Sequence, residues 1–138
     1  MNPYLKNQIE TSSPEQILIL LYDGAIKFLN QAKIGIQNKD IELTHNNLIK
    51  AQNIISELRD TLDMEIGGEL ANNLYSLYNY FNRRLVQANI KKEIEPVDEV
   101  LEHLRGLRDT WKQAIIKKRE EDKLDAAGQE SHNEYYEA

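Results

Sequence analysis

At 138 residues the chain is one domain's worth of sequence, long enough to bury a core without disulfide or metal staples. Its hydrophobic content of 41% and charged content of 29% are those of a globular protein and exclude a disordered one. The absence of cysteine excludes a disulfide framework and thiolate chemistry, and a net charge of −6 argues against nucleic acid as the main partner.

Taken in chain order, the pattern begins with a polar arm, Met1 to Glu10. It has neither the apolar run nor the cleavage pattern of a secretory signal. The first helix opens at Ser13-Pro14-Glu15-Gln16, with Ser13 as N-cap, Pro14 at the first helical position and Gln16 where a capping box needs it. Leu18, Leu21, Ala25, Phe28, Ala32 and Ile36 follow at three/four spacing, which helices produce and strands cannot. The spacing predicts a helix over 14–37. Asp40 caps a second, over 41–65, with Leu48, Ala51, Ile55, Leu58 and Leu62 as its inward stripe.

Gly67-Gly68 is expected to supply the turn into a third helix over 69–91, carrying Leu70, Leu74, Leu77, Phe81, Leu85 and Ala88. Pro96 starts a fourth over 96–119, with Val97, Val100, Leu104, Leu107, Trp111 and Ile115 on one side. Short connections between heptad-like seams imply an all-α, antiparallel four-helix bundle with left-handed packing. The bundle domain is expected over 1–123. From 124 to 138 the composition shifts to Ala, Gly, Glu, Ser and His, which predicts a flexible tail.

Chemistry-bearing motifs are hard to find. Glu42-x-x-His45 matches half of the di-metal carboxylate signature of ferritin-like bundles, but the residue three before His103 is Val100, so the second copy is missing. There is no Gly-rich phosphate loop or nucleophile elbow, and the acidic residues sit in mixed-sign runs suited to solvated pairing. No enzyme, cofactor or metal site is expected. No stretch is apolar enough to insert in a membrane, since Ile17–Leu21 soon meets Asp23 and Lys27.

Surface hydrophobicity remains to be explained. Stepping round each helix from its core stripe puts Ile19, Leu20, Ile26 and Ile34 outward on the first. Ile49 lies outward on the second with Ile54 on its flank. Tyr75 and Val86 share an outer stripe of the third with Asn79 and Asn82, and Tyr80 is on a flank. Each alone is ordinary; together they favour a groove for an apolar helix or extended peptide, or for a second copy of the chain. Of Arg83 and Arg84, the wheel puts Arg84 nearer the core, where it pairs with a carboxylate or forks onto carbonyls.

These residues resemble the flagellar export chaperone family FliS. The resemblance lies in the run Thr11-Ser12-Ser13-Pro14-Glu15-Gln16 and in Leu21-Tyr22-Asp23-Gly24-Ala25. It continues through Lys50-Ala51-Gln52-Asn53-Ile54-Ile55, Gly67-Gly68-Glu69, Leu77-Tyr78, Arg83-Arg84-Leu85, Ala88-Asn89 and Trp111-Lys112, covering about residues 3–115. It implies a cytoplasmic helical bundle that binds the disordered C-terminal segment of flagellin, prevents premature polymerisation and hands its client to an export gate protein. It also directs the groove to Tyr22, Ile49, Lys50, Ile54, Tyr75, Tyr80, Arg83, Val86 and Asn89, with Tyr4 and Ile9 of the arm as a cover in the free protein. The competing readings are a helical adaptor or homodimer with a self-complementary surface, and a carboxylate-bridged metalloenzyme.

Overall fold

The computed structural model describes Pro3 and residues 13–137, with side chains described as far as Glu130. Tyr4 and Ile9 lie outside the described residues. Among residues 13–137 four helices follow one another: α1 (Pro14–Gln37), α2 (Ile41–Asp60), α3 (Met64–Lys91) and α4 (Glu95–Glu137). The start of α1 is a reciprocal capping box: the Gln16 amide N–H donates to Ser13 Oγ at 3.2 Å, and the Ser13 N–H donates to Gln16 Oε1 at 3.0 Å. Lys39 takes a left-handed φ of 57° in the next turn, and the Asp40 carboxylate accepts the Leu43 N–H at 3.0 Å to open α2.

α1 and α2 lie unusually close. A Cβ on Gly35 would fall 2.6 Å from Thr44 Oγ1 and 2.8 Å from the Thr44 backbone nitrogen, so only glycine fits at that crossing. The turn after α2 comes earlier than the diglycine. The Thr61 hydroxyl donates to the Leu58 carbonyl at 3.0 Å, and Asp63 accepts the Glu65 and Ile66 N–H groups at 3.1 and 3.0 Å. A side-chain cap thus restarts the helix before Gly67 is reached. Gly68, with φ 53° and ψ −128°, then breaks the helical path, so that a short turn of helix at the start of α3 is set off from its long remainder and the positive φ expected of the diglycine is present. Leu70, expected in the core stripe, is 59% exposed beside that kink.

The helices close into a ring in which α1 touches α2 and α4, and α3 touches the same two. Lys33 pairs with Asp98 at 2.6 Å and Arg108 with Asp23 at 3.2 Å, so ascending positions on α1 meet descending ones on α4. The neighbours run antiparallel. The core joins Ala25 and Leu29, Leu48 and Ile55, Phe81 and Leu85, and Val100 and Leu104, all fully buried. Ile26, expected to point outward, is buried with them, because α1 is covered on two sides, by α2 and by α4. Leu18, Leu21, Phe28 and Ile36 flank the core, half-buried.

α4 does not stop near residue 119. It continues as helix through the segment whose composition predicts a loose tail. Lys117 to Arg119 precede Glu120 to Asp122 at the three- and four-residue spacings that attract, and Leu124, Ala126 and Ala127 are strong helix formers. From Lys117 to Glu130 every side chain is exposed. Among the described residues no helix is long and apolar enough to cross a membrane.

Candidate partner-binding face

The outer seam between α2 and α3 is laced by polar rungs. From α2 come His45, Ser56 and Arg59; from α3 come Asn79, Asn82 and Asn89, each set at helical spacing along one side. Arg59 Nη1 donates to Asn79 Oδ1 at 2.9 Å, Asn82 Nδ2 to Ser56 Oγ at 3.1 Å, and Asn89 Nδ2 lies 2.9 Å from His45 Nδ1. The Asn89 carbonyl oxygen also accepts from Lys92 Nζ. Between and beside these rungs stand Ile49, Tyr75 and Val86, which are 37%, 42% and 45% exposed. The Arg59 guanidinium covers the Tyr75 ring at 6.0 Å.

The residues expected in the groove do not all share this seam. Ile49, Tyr75, Val86 and Asn89 do. Lys50 turns toward α1, its Nζ 5.4 Å from the Phe28 ring centre. Ile54 is half-buried on that same side, with its Cδ1 3.2 Å from where a Gly24 Cβ would stand. Tyr80 leans toward α4, where its hydroxyl donates to Glu99. Arg84 meets the same carboxylate, with Nη2 3.1 Å and Nε 3.2 Å from Oε2. That hydrogen bond from Tyr80, with the Arg84 charge, holds the Glu99 carboxyl below the usual carboxylate range, and it pushes the Tyr80 phenol up. Arg83 is more exposed than Arg84 and lies over the Tyr80 ring at 5.9 Å.

Tyr22 is placed differently again. It is fully buried, so no partner reaches it in this conformation. Trp111 Nε1 donates to its hydroxyl at 3.1 Å, and that hydroxyl also bonds the Tyr78 hydroxyl. Burial pushes both phenols up. A buried tyrosine hydroxyl usually finds such a partner, and here it finds two.

Glu42 is exposed and His45 is engaged by Asn89; among the described residues no three His, Asp or Glu side chains gather as metal ligands. Two concavities accompany the seams. One of 480 Å³ lies on α3, lined by Asn79, Asn82, Arg83, Val86 and Gln87. Another of 350 Å³ lies between the start of α1 and the far part of α4, where Ile19 and Leu20 face Ile115 and Ile116. The second was not foreseen as a groove: Ile19 and Leu20 were expected outward, but Ile115 was assigned to the core stripe of the fourth helix.

The chain is similar to the flagellar secretion chaperone FliS of Bacillus subtilis, at 43% identity over 123 residues, covering 87% of this chain and 91% of the relative. It is 37% identical to the Salmonella typhimurium chaperone of the same name over 110 residues, with 79% and 82% of the two chains covered. A crystal structure described as a flagellar chaperone from bacteria superposes with a TM-score of 0.71 at 23% identity, covering 83% of this chain and 93% of that one, and so shares the fold. Residues 1–119 match the family described as Flagellar protein FliS, so this chain belongs to the FliS family of flagellar secretion chaperones.

Proposed function

We propose that the protein is a cytoplasmic export chaperone that holds the disordered C-terminal segment of flagellin against the α2–α3 seam. It keeps the client from polymerising early and delivers it to the flagellar export gate. The observation that carries this reading is Ile49, Tyr75 and Val86, left substantially exposed along one seam of a bundle whose core is already filled elsewhere. An amphipathic segment unable to bury its apolar face alone aggregates, and an apolar strip on an acidic carrier covers it. Membership of the flagellar secretion chaperone family gives the client its class. Lys50 and Ile54 contribute from the α1–α2 side only if the client wraps past α2, which the ordering cost of a disordered segment favours.

Calorimetric titration of the full chain with the C-terminal segment of the cognate flagellin tests the reading. The expected result is saturable 1:1 binding with a negative heat-capacity change. Absence of binding, with the chain running as a stable dimer, would transfer the same strip to self-association.

A further inference from the structure

Two side chains on α3 carry hydrogen-bonding capacity that the bundle does not use, and they lie next to each other. Arg59, Arg84, Arg105 and Arg108 each donate to an oxygen within the fold. Arg83 does not: it is held over the Tyr80 ring and forms no ion pair among the described residues. Its neighbour Asn82 spends Nδ2 on Ser56, while its Oδ1 is buried with no donor among the described residues. Such an orphan is rare, because a buried acceptor without a partner costs free energy. Both residues line the 480 Å³ concavity, with Val86 beside them.

From this pair we infer that Arg83 and Asn82 together recognise a side-chain carboxamide, an Asn or Gln, on the bound client. The inference rests on the chaperone reading above. A guanidinium only donates, and Asn82 Oδ1 only accepts. A carboxylate would satisfy Arg83 but bring negative charge to an acceptor that already lacks a donor. An ammonium would satisfy Asn82 and meet the charge of Arg83. A carboxamide carries both functions at once: its oxygen accepts from Arg83 and its NH2 donates to Asn82. A client backbone amide has the same pair of functions, but a segment that docks as a helix uses them internally. Oδ1 reaches the concavity by turning about the soft terminal torsion, which also takes Nδ2 off Ser56, so the client's donor replaces that neutral hydrogen bond. The aliphatic stem of the client residue then lies against Val86.

The experiment is a coupling measurement on the full chain. The flagellin C-terminal peptide is titrated into the wild type, Arg83→Ala and Asn82→Ala, using the parent peptide and versions with each Asn, Gln, Asp and Glu changed singly to Ala. Thermal melts confirm that the variants are folded. Arg83→Ala is expected to weaken the parent peptide about 5- to 20-fold. One Asn or Gln substitution should weaken wild-type binding by a similar factor, yet by less than about twofold in either variant. Coupling to an Asp or Glu instead, or to no side chain, would overturn the inference and leave the chaperone reading standing. If the wild type does not bind the parent peptide, both readings fall together.

Discussion

On its α4 flank, α3 is tied by opposite charges: Tyr80 and Arg84 converge on the Glu99 carboxylate. On its α2 flank, no rung joins two opposite charges. Amides meet an arginine, a serine hydroxyl and a histidine ring, with bare apolar side chains between them. Covering a charge pair with another protein removes water from both ions, and their mutual attraction does not reliably offset that loss. Covering amides that are already hydrogen-bonded costs much less. On the proposed reading the α2 flank is therefore the one the client buries.

The sharpest way to break this contrast is to put a charge on the flank meant to be buried. Val86→Asp should leave the melting temperature nearly unchanged, because Val86 is 45% exposed in the free protein. Client affinity should fall about 100-fold, or roughly 3 kcal/mol, because the carboxylate is desolvated without a partner. Unchanged affinity in calorimetry would remove the α2–α3 seam as the binding face. Ile54→Asp serves as the counter-case. Ile54 packs against the core on the α1 side, so that variant should lose about 2–4 kcal/mol of folding stability in urea titration before binding is considered.

The α4 flank also rests on buried hydroxyls, and these should respond unequally. Tyr22→Phe strands two polar groups, Trp111 Nε1 and the Tyr78 hydroxyl, because both bond the Tyr22 hydroxyl. Tyr78→Phe leaves the Trp111–Tyr22 bond intact. Tyr22→Phe should cost about 2 kcal/mol in chemical denaturation and Tyr78→Phe about half that. A larger loss for Tyr78→Phe would mean that Tyr78, not Tyr22, is the hub.

Much of the architecture was legible because it follows from local signals. Ser13, Pro14 and Gln16 announce the start of α1, and the three/four stripes announce four helices. The errors have physical causes. Asp63, a one-residue cap, starts a short turn of helix ahead of the diglycine, so α2 ends earlier than expected although Gly68 still makes the break. A helical wheel gives one inward direction, whereas α1 is covered by two neighbours, and so Ile26 was assigned to the wrong side. The candidate face was legible at Ile49, Tyr75, Val86 and Asn89, which share a seam. It was not legible at Tyr22, Lys50 and Ile54, whose directions depend on how α1 rolls against its neighbours. Asn79 and Asn82 were visible as an outer stripe, but their cross-helix partners were not, since no local pattern pairs Asn82 with Ser56.

The finest test of the contrast uses pH. Glu99 has a folded pKa held down by Tyr80 and Arg84, so the stabilisation from its ionised form is fully present above its unfolded value. That contribution is lost as pH falls through the folded value, which lies below that of a free carboxylate. Glu99→Gln should therefore be less stable than wild type at pH 7, with the deficit shrinking as the solution is acidified. Ser56→Ala, which removes the acceptor of the Asn82 rung, should cost about 1 kcal/mol or less. Because neither partner titrates, its deficit should be the same at pH 7 and pH 4. Urea titrations at the two pH values check both variants. Parallel acid behaviour in the two would mean that the flanks do not differ in charge chemistry, and that the seam was not selected for burial on that basis.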